Sequence, residues 1–251
     1  MEHYATAQQL FAGGLVFARI GAMIMTMPGV GDQPAPTQVR LAFALLMCLV
    51  VTPVVSPLLP QIPASLSDLA GAVIRELIIG LAIGAVLRAF MAAMSVAGEV
   101  ISIATTLSFA QTANPTQATQ NTTISTFLSL LAMVLIFATN LHHLFIAAMV
   151  RSYTLFPFAH PPPVADFAQL MIRTTGGAFE LGIQLAAPVL VFSLIFNIAT
   201  GLVGRAMPQF QVFFAATPLQ VLFGLSILAL SLGVMGSYWL GRYRDVLLAF
   251  S

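Results

Sequence analysis

Leu69-Ala-Gly-Ala-Val-Ile-Arg75-Glu76-Leu-Ile-Ile-Gly80-Leu-Ala-Ile-Gly84-Ala-Val-Leu-Arg88-Ala-Phe90-Met-Ala-Ala-Met-Ser95-Val-Ala97 is a nearly unbroken apolar run with Arg75, Glu76 and Arg88 set inside it. A bilayer core roughly 30 Å thick takes about 20 helical residues to cross, so this run is long enough to span. Only helices and closed barrels satisfy the backbone in lipid. A barrel strand would alternate apolar and polar positions over about ten residues, and this run does not. Helix is therefore the reading, and working outward it repeats at Leu10–Met27, Val39–Val55, Ile124–Val150, Phe179–Val203 and Val212–Leu240. The fold class that follows is an all-α membrane protein with about six hydrophobic helical stretches.

Composition agrees. Hydrophobic residues are 59% of the chain and charged ones 7%, against about a quarter charged in soluble domains. The formal charge of +1 offers no field for nucleic acid, which is excluded as a partner. The basic residues are all Arg, whose guanidinium tolerates protein surroundings better than ammonium. The single cysteine, Cys48, lies in an apolar run and reads as a small buried hydrophobe.

Prolines and glycines punctuate the runs. Pro28-Gly29 through Pro36 ends the first stretch, Pro53, Pro57, Pro60 and Pro63 end the second, and Pro161-Pro162-Pro163 stiffens a connection. Pro208 divides the last two stretches, and no boundary for a separate soluble domain is visible, so 1–251 is expected to be one domain. The N-terminus lacks a basic n-region, so the first span is expected to be retained. With six spans, Arg151, Arg173, Arg242 and Arg244 share the side of the termini against Arg40 and Arg205, an asymmetry that points to cytoplasmic termini.

Ionisable groups inside the stretches strain a simple lipid-facing bundle. Arg19, Arg75, Glu76, Arg88 and Glu180 would each be costly in hydrocarbon. They are either residues of a transport pathway or structural charges buried against partners, and the second is the expectation, extended to Glu99 and Arg205. Arg75 and Glu76 are adjacent and point in different directions around a helix, so they are expected to meet different partners. Gly80-Leu-Ala-Ile-Gly84 has the spacing that lets helix backbones approach.

After Gly98-Glu99 the chain runs through Leu107-Ser108-Phe109-Ala110 into Gln111-Thr-Ala-Asn114-Pro115-Thr-Gln-Ala-Thr-Gln-Asn-Thr-Thr123, a tract without one charge. Such a tract suits either irregular backbone in a wet channel or an exposed connector. Catalysis finds no motif. His142 and His143 are adjacent and diverge by about 100° on a helix, so they do not make a metal pair, and no metal or cofactor is expected. Trp239, near a span end, reads as an interfacial anchor.

Several stretches, in order, resemble the FliR family, the flagellar members of the FliR/SctT subunits of type III secretion export gates. They are Phe17-Ala-Arg19 with Pro28, Ala97-Gly98-Glu99, Leu107-Ser108-Phe109-Ala110 with Asn114-Pro115, Phe196-Asn197-Ile-Ala-Thr-Gly201, and Arg205-Ala-Met-Pro208-Gln209. The resemblance implies a non-enzymatic subunit of the bacterial inner membrane, in the flagellar basal body or, alternatively, an injectisome. It also implies proline-broken helical hairpins packed in a helical assembly with FliP-like and FliQ-like chains. An FlhB-like switch, an FlhA-like export protein and unfolded flagellar substrates would be further partners. By the same resemblance Leu107, Ser108, Phe109, Ala110, Gln111, Asn114 and Pro115 belong to a plug that closes the pore, with Phe109 its bulky residue. An independent multi-pass transporter is the competing reading.

Overall fold

A computed structural model describes residues 2–29, 31, 36–63, 65–108, 122–158, 164–207, 212–248 and 250. Within them the chain forms seven α-helices and no strand. They are α1 (Glu2–Thr26), α2 (Thr37–Val55), α3 (Leu66–Ala104), α4 (Thr123–Ala138), α5 (Leu141–Leu155), α6 (Val164–Ala206) and α7 (Val212–Leu248), with a 3₁₀ turn at Ser56–Leu58. Five helices are long and apolar enough to cross a membrane, and six spans result if the bent pair α4–α5 counts as one. The membrane expectation and the all-α class therefore hold.

Local chemistry explains most boundaries. Ser65 caps α3: its Oγ accepts the Asp68 backbone N–H at 3.2 Å, which satisfies one donor otherwise orphaned at a helix start, and donates to the Asp68 carboxylate at 2.6 Å. The helices containing the first, third and last stretches run on to Glu2, Ala104 and Leu248, and three further features differ from the sequence reading. Pro53 lies inside the last turn of α2, where it takes one N–H from the ladder with only Val54 and Val55 still to follow, and does not end the helix. The stretch Ile124–Val150 is two helices, because Asn140 takes φ 58°, a left-handed conformation that Asn tolerates better than most residues. And α6 begins at Val164, well before Phe179, since its first turns alternate Asp166, Gln169 and Arg173 with apolar residues and so carry no continuous apolar signal.

Two compact units share the long helices. One comprises residues 1–90, 137–175 and 243–251. Here α1 and α2 pack side by side, with Gln8 donating to Pro60 O at 3.0 Å beyond the end of α2, as an antiparallel pair requires. Gly80 lets α3 lie on α1: a Cβ there would run into Arg19 O, and one at Gly84 into the Thr26 side chain. Cys48 is buried and its Sγ donates to Gly13 O at 3.3 Å.

The other unit comprises residues 91–136 and 176–242. Met94, Ala97 and Ile101 of α3 are buried, as are Leu128 and Ala132 of α4, Ala186 and Val189 of α6, and Trp239 of α7. Trp239 is wholly buried, so it is a core residue and not the interfacial anchor read from its position. A fully enclosed indole cannot reach the headgroup layer.

Candidate functional site: a charged hub and a neutral collar

Polar side chains inside apolar helices are costly unless they are fully hydrogen-bonded, so their clusters mark where the fold has been made specific. There is one in each unit.

In the first unit, Arg19 of α1 is completely buried beside Glu76 of α3. Its Nε donates to Glu76 Oε2 at 2.5 Å and its Nη2 to Oε1 at 3.1 Å, a two-pronged grip. Its Nη1 donates to Ser152 O at 2.8 Å and reaches Ser152 Oγ at 3.5 Å, while Nη2 also donates to Phe156 O at 2.9 Å. The guanidinium lies 4.2 Å from the centre of the Tyr153 ring. Five N–H donors are all that Arg has, and these contacts use them, so nothing remains for a passing substrate. The same guanidinium collects carbonyls at the C-terminal end of α5, where a cation is favoured.

The other charges singled out in the sequence are placed differently. Arg75, Arg88, Glu180 and Arg205 are exposed on the chain, so the chain itself does not bury them. Glu180 accepts a hydrogen bond from Gln184 at 3.0 Å on its own helix. Arg205 stands in the last turn of α6, favourable to the helix dipole. Glu99 is half-buried and accepts the Thr122 backbone N–H at 2.8 Å.

That Glu99–Thr122 contact opens the collar of the second unit, which surrounds the end of α3. Gly98 allows the close approach of α4, since a Cβ there would meet the Ser125 backbone, and Ser125 Oγ donates to Ser95 O at 3.0 Å. Ser102 Oγ donates to Thr122 Oγ1 at 2.8 Å, and Thr122 in turn caps α4 by accepting the Ser125 N–H at 3.3 Å. The two ends of the chain segment between Ser108 and Thr122 are thus held within one polar cluster. Beyond Ala104 the backbone turns: Thr106 takes φ 61°, and Ser108 N–H donates to Ser102 O at 3.2 Å. The Ala104 carbonyl accepts twice, from Ser193 Oγ of α6 and from Gln220 Nε2 of α7, each at 2.8 Å.

Of the expected plug residues, Leu107 and Ser108 lie in this turn, both half-buried, whereas Phe109, Ala110, Gln111, Asn114 and Pro115 lie outside the described residues. The neutral tract is shorter than its sequence suggests, because Thr122 is the cap of α4 and Thr123 its first residue. Ser102, Ser193 and Gln220 escaped the sequence reading. The single amide in the run Val212–Leu240, Gln220, and one of the two hydroxyls in Phe179–Val203, Ser193 as against Thr200, were the available signals.

No three-residue metal cluster exists among the described residues. The rings of His142 and His143 lie 4.2 Å apart, closer than their divergent positions on a helix suggest, because the side chains lean together.

Long apolar helices whose buried polar clusters are spent on one another define a helical membrane protein. The pattern of the bacterial export proteins, family 1, matches residues 10–246 and so runs through both units. The flagellar biosynthetic protein FliR of Caulobacter vibrioides is 56% identical over 251 residues, all of both chains. FliR of Escherichia coli K12 is 27% identical, covering 84% of this chain and 80% of its own, and FliR of Bacillus subtilis 26%, covering 88% and 86%. This chain belongs to the FliR family of bacterial export proteins.

Proposed function

We propose that this chain is a non-enzymatic core subunit of the flagellar type III protein export gate, working as one domain in the bacterial inner membrane at the flagellar basal body. It helps form and close the conduit for unfolded flagellar proteins, alongside FliP-like and FliQ-like subunits, an FlhB-like switch and an FlhA-like export protein. The observation that carries this reading is full-length identity of 56% to a protein named for flagellar biosynthesis.

Two features of the chain support membership in an assembly. Gly201, Gly204 and Gly233 sit in helices where an added Cβ would meet nothing among the described residues within 4 Å, surfaces that let a neighbouring helix come close. Arg75, Arg88, Glu180 and Arg205 are exposed among apolar residues, which is costly against lipid and not against a protein neighbour.

Closure is assigned to the segment that begins at Leu107. A bulky apolar side chain such as Phe109 can block a constriction by fit and dewetting. Phe109→Ala, or deletion within 112–120, should leave the complex assembled and raise resting ion permeability. The deletion must stop short of Thr122, which caps α4. Co-purification followed by native mass spectrometry tests the assembly itself: recovery of this chain alone, or as a symmetric oligomer without other subunits, would sink the reading in favour of an independent transporter.

A further inference from the structure

A helix end leaves its last carbonyls without partners, and most are satisfied by water or by the turn that follows. Ala104 O at the end of α3 is instead claimed by two other helices, through Ser193 Oγ and Gln220 Nε2. Both side chains are 5% exposed. Gln220 Nε2 also lies 3.4 Å from Ser193 Oγ, and Asn197 Nδ2 reaches the same oxygen at 3.4 Å. One turn beyond Gln220 on α7, Gly224 makes room for the next residue of the turn: a Cβ there would run into Thr105 Cγ2. One face of α7 is therefore shaped to the end of α3.

Two residues past the doubly held carbonyl, Thr106 sits at φ 61°. That conformation is a true outlier for a β-branched residue, and it persists only where the surroundings over-determine it. Every hydrogen bond that the α6 and α7 side chains bring to Ala104 is neutral, so this part of the collar can let go without exposing a charge. A cleft of about 380 Å³, lined by Ile103, Thr106, Ser193, Asn197 and Gln220 among others, lies beside it and gives these side chains room to reorient.

We infer that Ser193 and Gln220 are positioning residues that, by jointly holding the Ala104 carbonyl, fix the direction in which the chain leaves α3 and thereby control closure of the conduit. The inference rests on the gate reading above. The positioning acts through the turn Thr105–Ser108, and neither side chain is assigned contact with a substrate.

The test uses the assembled export complex in cells, with Gln220→Leu, Ser193→Ala and Ser193→Thr, and reads resting ion leak together with complex yield. Losing one neutral hydrogen bond should shift the held turn by roughly fivefold. Gln220→Leu and Ser193→Ala should therefore each raise the leak by up to about fivefold at normal complex yield, while Ser193→Thr, which keeps the hydroxyl, stays at the wild-type level. Ser193→Ala removes a single oxygen and carries the test if Gln220→Leu fails to assemble. Wild-type leak in Ser193→Ala, or leak that rises only as yield falls, overturns the inference. A deletion within 112–120 serves as the reference. If it leaks while the positioning variants do not, the inference alone is overturned, and if it too stays tight, the gate reading falls with it.

Discussion

The Arg19 hub and the α3 collar solve the same problem, a polar group inside apolar helices, with opposite chemistry. The hub joins a full positive to a full negative charge out of water. Such a pair adds little net stability over well-packed apolar residues, yet breaking it strands a buried charge and costs several kcal/mol. The collar spreads hydroxyls, an amide and one half-buried carboxylate over four helices, and each neutral bond is worth only about 1 kcal/mol. A hub of the first kind holds a scaffold in one arrangement. A collar of the second kind can exchange bonds, which is what a part that moves requires.

The largest expected effect breaks the hub. Arg19→Leu leaves the Glu76 carboxylate buried and alone, and should destabilise the chain by about 3–5 kcal/mol in a denaturant titration in mixed micelles, with assembled complex lost. Replacing both partners, Arg19→Met with Glu76→Leu, should recover most of that stability. If the double variant is as unstable as the single, the Arg19 bonds to Ser152 O and Phe156 O outweigh the ion pair, and the contrast with the collar fails.

Next in size are the glycines at which helices touch in each unit. Gly80→Val drives a side chain into the α1 backbone and Gly98→Val into the α4 backbone, and overpacking of this kind costs about 1–3 kcal/mol. Gly201→Ala has open space and should instead stabilise the isolated chain by up to about 1 kcal/mol through helix propensity. A fall in complex yield in that variant would identify the surface as one that a neighbouring helix covers.

The two left-handed residues sharpen the comparison further. Thr106→Gly removes the strain of a β-branched residue at φ 61° and should stabilise by about 1 kcal/mol net of the flexibility it adds to the unfolded chain. Asn140→Gly, at φ 58°, should change stability by only a few tenths, because Asn already accepts that conformation. Equal responses would show that the α3 turn is not held under strain.

Arg75 gives the smallest effect on the chain itself. Being exposed, Arg75→Gln should leave unfolding within about 0.5 kcal/mol of wild type. Reduced recovery of the complex, measured by co-purification, would place its partner in a neighbouring subunit, and unchanged recovery would argue against one.

The sequence by itself determined that the chain is helical and made for a membrane, because a continuous apolar run without alternation admits no other spanning solution. It also marked Gly80 and Gly84 as contact points, since a small-residue spacing limits how near two backbones can come. It located Arg19 and Glu76 as charges in need of partners, and only the tertiary structure paired them, across 57 positions of chain. The difference is physical. Hydropathy and backbone sterics are local and are read residue by residue, whereas a hydrogen bond to a carbonyl leaves no trace in composition, because every residue has a carbonyl. That is why Ser193 and Gln220 looked like incidental polar residues until Ala104 O was found between them. It is also why Trp239 looked like an anchor until helix packing enclosed it.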